Sequence, residues 1–501
     1  MCETGSVDVV VLYFSCCALL AVFSLHRVWL LVDFARARRQ RPTTTTLDDV
    51  PGVVVQLPLY NEAEVAERLL DASAQLQWPH DKLVVQLLDD SDDHTTDRLA
   101  PRVAHWRAQG VQVEHVRREV REGYKAGALA HGLDLTTAPF VAVFDADFVP
   151  PADFLQKVMP AFVDDDVGMV QARWGHLNRQ QSWLTRAQAA FLDAHFSIEH
   201  LARAGRGRFF NFNGTAGVWR RTAIDNAGGW DAATLTEDLD LSFRAQLKGA
   251  RFVYLDDVEV PAELPADVDA FKSQQHRWAK GSMQTARRLL PSLWAAKLPW
   301  VTKLDATLKL LQNTAFLLLA LVMVTLPMVA LQHAHGASWV TQILEWGTLS
   351  VATLPVALHF AAAQRARHRR WRDVVLSVPL GIGLGGALSL HNARAVLEGM
   401  VGKGHDVFVR TPKAGGGQAA TALTSYRARM HPLAWLEFAL GATHLVTAWM
   451  LLSAGKWLTV PFLLLFGVSL LAMSTPSFVR TFTGSWARWR ASTSSPTTKA
   501  A

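Results

Sequence analysis

Hydrophobic and polar positions along this chain fall into two regimes. Residues 9–32 are almost uninterruptedly apolar, broken chiefly by His26 and Arg27. Wound as a helix at about 1.5 Å per residue, this run reaches about 36 Å, enough to cross a hydrocarbon core of about 30 Å. A cleaved leader needs a basic start and a small-residue cleavage site, whereas the chain opens Met1-Cys2-Glu3-Thr4, so a membrane anchor over 1–41 is expected. Apolar spans return at 310–331, 340–363, 433–452 and 458–473. Between the anchor and these spans, short β-branched runs alternate with amphipathic stretches, the pattern of a water-facing α/β domain over 42–282. Strands are predicted at 53–57, 83–88 and 140–144, the first followed by a helix from about Ala63, with polar residues gathered at the strands' carboxyl ends.

Two stretches fit neither regime. Over 283–300, Arg287, Arg288 and Lys297 interleave with Leu289, Leu290, Leu293, Trp294 and Leu298, which predicts a helix lying in the headgroup region. Residues 374–395 are apolar, but the centre Pro379-Leu380-Gly381-Ile382-Gly383-Leu384-Gly385-Gly386 is poor helix material. A re-entrant hairpin is expected there, within a membrane region spanning 301–400.

Charge orients these segments. Arg36, Arg38, Arg39 and Arg41 follow the first apolar run, and Arg365-Ala366-Arg367-His368-Arg369-Arg370 closes the third. By the positive-inside rule the α/β domain is cytoplasmic and the N-terminus outside. The loop 401–430 and the tail 479–501, with Arg480, Arg488 and Arg490, are then cytoplasmic, flanking a hairpin of spans over 431–478. The net charge of +6 is small for 501 residues and gives no reason to expect a nucleic-acid partner. Eighteen tryptophans suit membrane-interface anchoring and sugar stacking equally well. Cys2, Cys16 and Cys17, the only cysteines, stand too close together to staple a fold.

The α/β domain carries five polar motifs in order. Asp89-Asp90-Ser91-Asp92-Asp93 ends the second strand, where carboxylates can accept hydrogen bonds from a base or ribose. Lys125, in Gly123-Tyr124-Lys125-Ala126-Gly127, offers a point charge for phosphate. Asp145-Ala146-Asp147 ends the third strand, and two carboxylates so spaced can share a divalent cation that neutralises a departing diphosphate. Leu235-Thr236-Glu237-Asp238 offers a base for a sugar hydroxyl. Gln274-Gln275-His276-Arg277-Trp278 sets a forked cation beside an indole that can carry a sugar ring. Singly, each has an ordinary reading as a turn, a solvated lysine or a surface acid; a second D-x-D recurs at Asp238-Leu239-Asp240. All five in this order are much harder to dismiss.

The order Asp89-Asp90, Lys125-Ala126-Gly127, Asp145-x-Asp147, Thr236-Glu237-Asp238, Gln274-x-x-Arg277-Trp278 resembles that of the processive family-2 glycosyltransferases. The strings Val170-Gln171-Ala172-Arg173-Trp174 and Phe212-Asn213-Gly214-Thr215-Ala216-Gly217-Val218-Trp219-Arg220 are similar to those of cellulose-synthase-like mannan and glucan synthases and their bacterial relatives. The resemblance covers roughly 50–415. It implies an α/β GT-A nucleotide-sugar-binding domain, a mixed sheet flanked by helices, inserted between transmembrane helices. It further implies an inverting transferase that moves hexose from GDP-mannose or UDP-glucose to a β-linked polysaccharide acceptor, with Mg²⁺ or Mn²⁺ as cofactor. By position, Asp89 and Asp90 would contact the nucleotide, Lys125 and Arg277 the phosphates, and Asp145 and Asp147 the diphosphate and its metal. Asp238 would be the general base. Gln274, Trp278, Glu237, Phe212, Asn213, Gly214 and Thr215 would line the acceptor side. Phe408-Val409-Arg410-Thr411-Pro412-Lys413 resembles the cellulose-synthase gating loop, F-x-V-T-x-K, with arginine where valine is usual, so Phe408, Thr411 and Lys413 would close over the donor. The same reading places the protein in a lipid bilayer, expected to be a bacterial inner membrane, and allows accessory secretion subunits. A single-addition transferase acting on a lipid, and a non-catalytic scaffold that keeps a transferase domain, stay open at this level.

Overall fold

A computed structural model describes residues 2–37, 50–334, 339–402 and 433–493. The predicted strands form the centre of a seven-stranded mixed sheet in the order β3-β2-β1-β4-β6-β5-β7. The strands are β1 Val53–Leu59, β2 Leu83–Asp89, β3 Gln112–Val116, β4 Phe140–Val143, β5 Val167–His176, β6 Gly217–Arg220 and β7 Arg251–Ala262. β1 pairs in parallel with both β2 and β4, while β6 runs antiparallel to β4 and β5. β1, β2 and β4 are buried almost throughout, as parallel strands covered on both faces must be, hence their continuous Val/Leu runs. The chain winds from β1 out to β3 and then returns to place β4 on the other side of β1. Their carboxyl ends therefore part at a topological switch point, where open α/β sheets bind ligands.

Around the sheet lie α2 Ala66–Ala74, α3 Thr95–Ala108, α4 Tyr124–Asp134, α5 Trp183–Ala194 and α6 Glu237–Leu247. The long α7, Val268–Ala295, follows β7, and α8, Trp300–Leu310, leads toward the apolar helices α9 Thr314–Ala334, α10 Trp339–Ala366, α11 Trp371–Val401, α12 Leu433–Ser453 and α13 Val460–Thr493. With α1, Cys2–Ala37, they include six stretches long and apolar enough to cross a membrane by length and composition. The protein is a membrane protein.

Two sequence expectations are corrected. Residues 283–300 do not form a separate interfacial helix. Residues 283–295 are the second half of α7. Its Met283, Ala286, Leu289 and Leu293 pack on Phe209, Leu239 and Phe243 of the α/β domain. Arg288 pairs with Asp231 at 2.6 Å and Arg287 donates to the Gly399 carbonyl at 3.3 Å, so the basic residues serve protein partners as well as solvent. Nor do residues 374–395 break into a re-entrant hairpin, for α11 runs unbroken through Pro379 and all four glycines. Three of those glycines are contact points. A Cβ on Gly381 would stand 2.8 Å from the Phe360 ring and one on Gly386 2.7 Å from Phe466, while one on Gly383 would strike Ser469. Small residues let apolar helices approach closely, and that need outweighs glycine's poor helix propensity here.

α11 also touches the α/β domain along its length. In the turn that leads into it, Arg367 stands 3.5 Å from Asp256 and 3.7 Å from Glu259 of β7. In mid-helix Leu384, Ala387 and Leu388 pack with Leu184, Ala187, Val268 and Phe271. At its end Glu398 lies 3.3 Å from both His276 and Lys280 of α7. A buried charged cluster fixes α1 in turn: Arg27 pairs with Glu199, Arg208 with Asp33, and His26 meets Asp305 at 2.7 Å. Arg203 joins Asp305 at 3.1 Å and Glu199 at 3.0 Å.

Candidate active site

The carboxyl ends of β1 and β4, the N-terminus of α4, the loop before β6, the start of α6 and the middle of α7 converge on one cleft. It is lined by Asp90, Lys125, Asp145, Asp147, Asn213, Gly214, Glu237, Asp238, Gln274, Arg277 and Trp278. Eleven of the fourteen described residues expected at the site are thus brought together. Tyr60, Glu62, Arg121 and Trp174 also line the wall.

Lys125 enters from the first turn of α4, whose N-cap Gly123 is left-handed at φ 70°. A Cβ on Gly127 would strike the Glu122 carbonyl, so only glycine permits this tight entry. The Lys125 ammonium sits 2.5 Å from Asp145 and 2.8 Å from the Gly214 carbonyl, with Glu237 at 3.9 Å. Burial lowers its pKa, but the surrounding carboxylates outweigh that and hold it above the usual lysine value. Gly214, left-handed at φ 80°, passes within 3.1 Å of Asp238 measured from an added Cβ, and within 3.3 Å of Lys125.

Glu237 and Asp238 open α6, and the Leu239 amide donates to Asp238 Oδ1 at 2.8 Å. Burial, and then the charge of neighbouring Glu237, push the Asp238 carboxyl up to about 7; burial likewise raises Glu237. A carboxyl poised near the working pH is what general-base chemistry requires. Since a base must first be deprotonated, kcat/KM is expected to rise as pH climbs through about 7 and to fall away below it. A pH–rate profile on membranes tests this, and a flat profile from about pH 5.5 to 8.5 would remove Asp238 as the group that titrates.

α7 carries Gln274, Arg277 and Trp278 and is clamped onto the Asp238 loop. The Leu235 amide donates to Gln284 at 2.9 Å, and Thr236 meets Thr285 at 3.2 Å. Gly281 lies flat against Thr236, where an added Cβ would be 2.6 Å from the methyl and 2.9 Å from the backbone nitrogen.

Three expected residues lie outside the cleft. Asp89 is buried and its carboxylate is spent on the Ser91 amide at 3.0 Å, Thr96 at 2.8 Å and His115 at 2.9 Å. Burial alone would raise its pKa, yet those bonds outweigh it and hold the group at about 2. It braces the loop rather than meeting a nucleotide. Phe212 is fully buried, edge-on to Trp219 with centroids 5.6 Å apart, and is a core residue rather than an acceptor contact. Thr215 is equally buried and accepts the Asp145 amide at 2.9 Å, so it positions that carboxylate. Phe408, Thr411 and Lys413 fall outside the described residues.

The structure adds residues that the motifs did not single out. Arg118 grips Asp90 through two nitrogens, at 3.0 and 2.5 Å, and Arg121 stacks 3.3 Å from the centre of the Tyr60 ring. Asn213 is held from below: His200 Nε2–H donates to its Oδ1 at 2.7 Å, and its Nδ2 donates to His195 Nε2 at 3.0 Å. Burial keeps both imidazoles neutral, His200 down at about 3, which this bonding pattern needs. Both sit in a π-helical turn, His195–His200, a local widening that recurs at functional sites. The basic run Arg117-Arg118 ahead of Lys125 was a readable signal; the histidines look like ordinary core residues in sequence.

Asp145 and Asp147 present only carboxylate oxygens, the donor class that hard cations such as Mg²⁺ and Mn²⁺ prefer. Among the described residues no cluster of three acidic, histidine or cysteine ligands forms an all-protein cage. Magnesium sites built on one or two carboxylates and completed by substrate phosphates need none, so the residues fit such an ion.

The domain matches the family described as "Glycosyltransferase like family 2" over residues 51–281. Glucomannan 4-beta-mannosyltransferase 1 of Oryza sativa subsp. japonica is 36% identical over 375 residues, 73% of this chain and 70% of that protein. Glucomannan 4-beta-mannosyltransferase 2 of Arabidopsis thaliana is 34% identical, over 74% of this chain and 69% of its own length. The chain belongs to glycosyltransferase family 2. It is a cellulose-synthase-like hexosyltransferase of the membrane. Among solved structures, the mannosyltransferase PcManGT from Pyrobaculum calidifontis, in complex with GDP-Man and Mn²⁺, superposes with a TM-score of 0.53 at 19% identity, covering 78% of this chain and all of that one. That likeness shows the transferase's GT-A fold, with its mixed sheet flanked by helices.

Proposed function

We propose that this transferase moves mannose from GDP-mannose onto the end of a growing β-1,4-linked polysaccharide, with inversion at the anomeric carbon. The observation that carries the reading is the placement of Asp238 in one cleft between the Lys125, Asp145 and Asp147 side and the Gln274 and Trp278 side. The printed activity of the plant relatives, glucomannan 4-beta-mannosyltransferase, supports the sugar and the linkage.

In this mechanism Trp278 stacks under the terminal acceptor sugar and Asn213 fixes its orientation. Asp238 takes the proton from the attacking hydroxyl, whose oxygen forms the new bond to the anomeric carbon as the bond to the diphosphate breaks. Lys125 and Arg277 receive the negative charge left on the phosphates. A divalent cation held by Asp145 and Asp147 would supply Lewis-acid stabilisation of that leaving group. Chelation by EDTA is expected to stop synthesis, with Mg²⁺ or Mn²⁺ restoring it; full activity in metal-free buffer would give the two carboxylates another role.

The basic runs at 36–41 and 365–370 support a cytosolic catalytic domain, with the N-terminus on the opposite side. α11, which meets that domain in mid-helix and at its end, is placed along the same membrane face while the remaining five apolar helices cross. A bundle of this kind supports extrusion of the polymer as it grows. The test is to incubate membranes with labelled GDP-mannose or UDP-glucose. A long product from GDP-mannose, cut by an endo-β-1,4-mannanase, is expected. A polymer made only from UDP-glucose changes the sugar, and a lipid-extractable monosaccharide product overturns the polymerase reading.

A further inference from the structure

Away from the cleft, where the start of α5 overhangs α11 and α13, a groove of about 1250 Å³ opens beside the apolar helices. It is larger than the ~300–1000 Å³ of typical small-molecule pockets. Its two ends differ in chemistry. One is a rim of four arginines, Arg179, Arg186, Arg369 and Arg372, with Asp373 the one acid among the lining residues. The other is an apolar wall formed by Leu376 and Leu380 of α11 and by α13 from Pro461 to Ala472. That length of α13 is about 16 Å of helix, close to half a hydrocarbon core of about 30 Å.

Three of the four rim arginines have no carboxylate within hydrogen-bond distance among the described residues. Arg179 is committed to Asp193 and Gln364, each at 2.6 Å. Arg186 is exposed and has no ion-pair partner among the described residues. Arg369 keeps a buried Nε without a hydrogen-bond acceptor. Among the described residues Arg372 has only Asp373, at 3.8 Å. Two exposed tryptophans stand at the same level: Trp183 lines the groove, and Trp371, beneath the Arg365 guanidinium at 4.7 Å, opens α11. Tryptophan and arginine together mark the headgroup level of a bilayer.

We propose that this groove binds one anionic phospholipid, its phosphate seated among Arg186, Arg369 and Arg372 and its acyl chains laid along α13. The inference rests on the membrane placement proposed above, and it is independent of which sugar is transferred. A free anion would use the arginines and leave the apolar wall bare; a zwitterionic lipid would use the wall and leave the rim unneutralised. A lipid bound here would join α5 of the catalytic domain to α11 and α13.

The full chain, released from nanodiscs containing equal amounts of phosphatidylglycerol and phosphatidylcholine, is examined by native mass spectrometry for retained lipid. One phosphatidylglycerol per chain is expected, held about tenfold or more tighter than phosphatidylcholine, as two or three uncompensated basic groups at a membrane surface provide. Arg186→Gln with Arg372→Gln, both exposed and therefore tolerated by the fold, should lose that preference. Val468→Trp, which fills the apolar end and leaves every arginine in place, should also expel the lipid. Equal retention of the two lipids, full retention by the arginine variant, or displacement by inorganic phosphate alone would each overturn the proposal. Flotation with vesicles of pure phosphatidylcholine checks the membrane placement separately: a chain that floats but shows no lipid preference refutes the site and leaves the placement intact.

Discussion

Asp238→Asn is expected to lower turnover by about 10²- to 10⁴-fold, the usual contribution of a positioned general base, while donor affinity stays nearly constant. Asparagine keeps the shape and the Oδ1 acceptor that the Leu239 amide uses at 2.8 Å, but it cannot take a proton from the acceptor hydroxyl. Loss of fold is readily told apart from loss of the base. Burial disfavours the Asp238 carboxylate, so the neutral replacement removes an unfavourable charge, and the Tm above pH 7 should hold or rise. Single-turnover kinetics with labelled donor, alongside donor binding measured at equilibrium, separate the two quantities. Substantial turnover in this variant would transfer the base role to Glu237, the other raised carboxyl in the cleft.

Gly281→Ala is expected to cost about 10²-fold in kcat although residue 281 reaches no substrate. The new methyl would lie 2.6 Å from the Thr236 methyl and 2.9 Å from its backbone nitrogen, and backbone cannot retreat as a flexible side chain can. α7 must then lift off the loop that leads into Asp238, carrying Trp278 with it. A displacement of about 1 Å between acceptor and base is enough for a loss of this size. Stability should fall by only about 1–3 kcal/mol, as overpacking usually costs. Donor KM should change less than kcat, because Lys125, Asp145 and Asp147 are carried by α4 and the sheet and only Arg277 among the donor residues moves with α7. Gly385→Ala is the control, since an added Cβ there meets nothing within 4 Å. Equal losses in the two variants would show general fragility to glycine replacement instead of a specific contact.

The sequence made the chemistry legible where function demands a particular residue type at a particular place. The carboxylates after β4, the Lys125 turn and Glu237-Asp238 meet in one cleft because each sits at an element boundary that its own motif encodes, and Gln274-x-x-Arg277-Trp278 reaches the same cleft from within α7. It misled where a polar or aromatic residue in a motif works inward. Asp89 and Asp90 are adjacent and chemically identical, yet one faces the core and the other the cleft, a choice made by His115 and Thr96 from elsewhere in the chain. Phe212 and Thr215 flank Asn213 and Gly214, yet both turn inward, Phe212 onto Trp219 and Thr215 onto the Asp145 amide, in a loop whose left-handed Gly214 breaks any regular alternation. α11 misled for a different reason: glycine and proline speak locally against a helix, and only the facing Phe360, Phe466 and Ser469 reveal why they are there. The neutral histidines under Asn213 had no local signal at all, since their role exists only once β6 and the π-helical turn are side by side.

The charged cluster around α1 bears on how this enzyme can be divided. Arg27 and Asp33 come from the first helix, while their partners Glu199 and Arg208 come from the catalytic domain, and His26 reaches Asp305 beyond it. Breaking one buried pair by removing a partner costs about 3–5 kcal/mol, and a clipped chain would break several at once. The first helix is therefore a component of the catalytic domain and no interchangeable tether. A soluble fragment beginning after residue 49 would expose or strand Glu199 and Arg208, and a chimera carrying a generic leucine-rich anchor would fail for the same reason. Restoring arginine, histidine and aspartate at the three matching depths of a foreign anchor is the smallest graft that should fold.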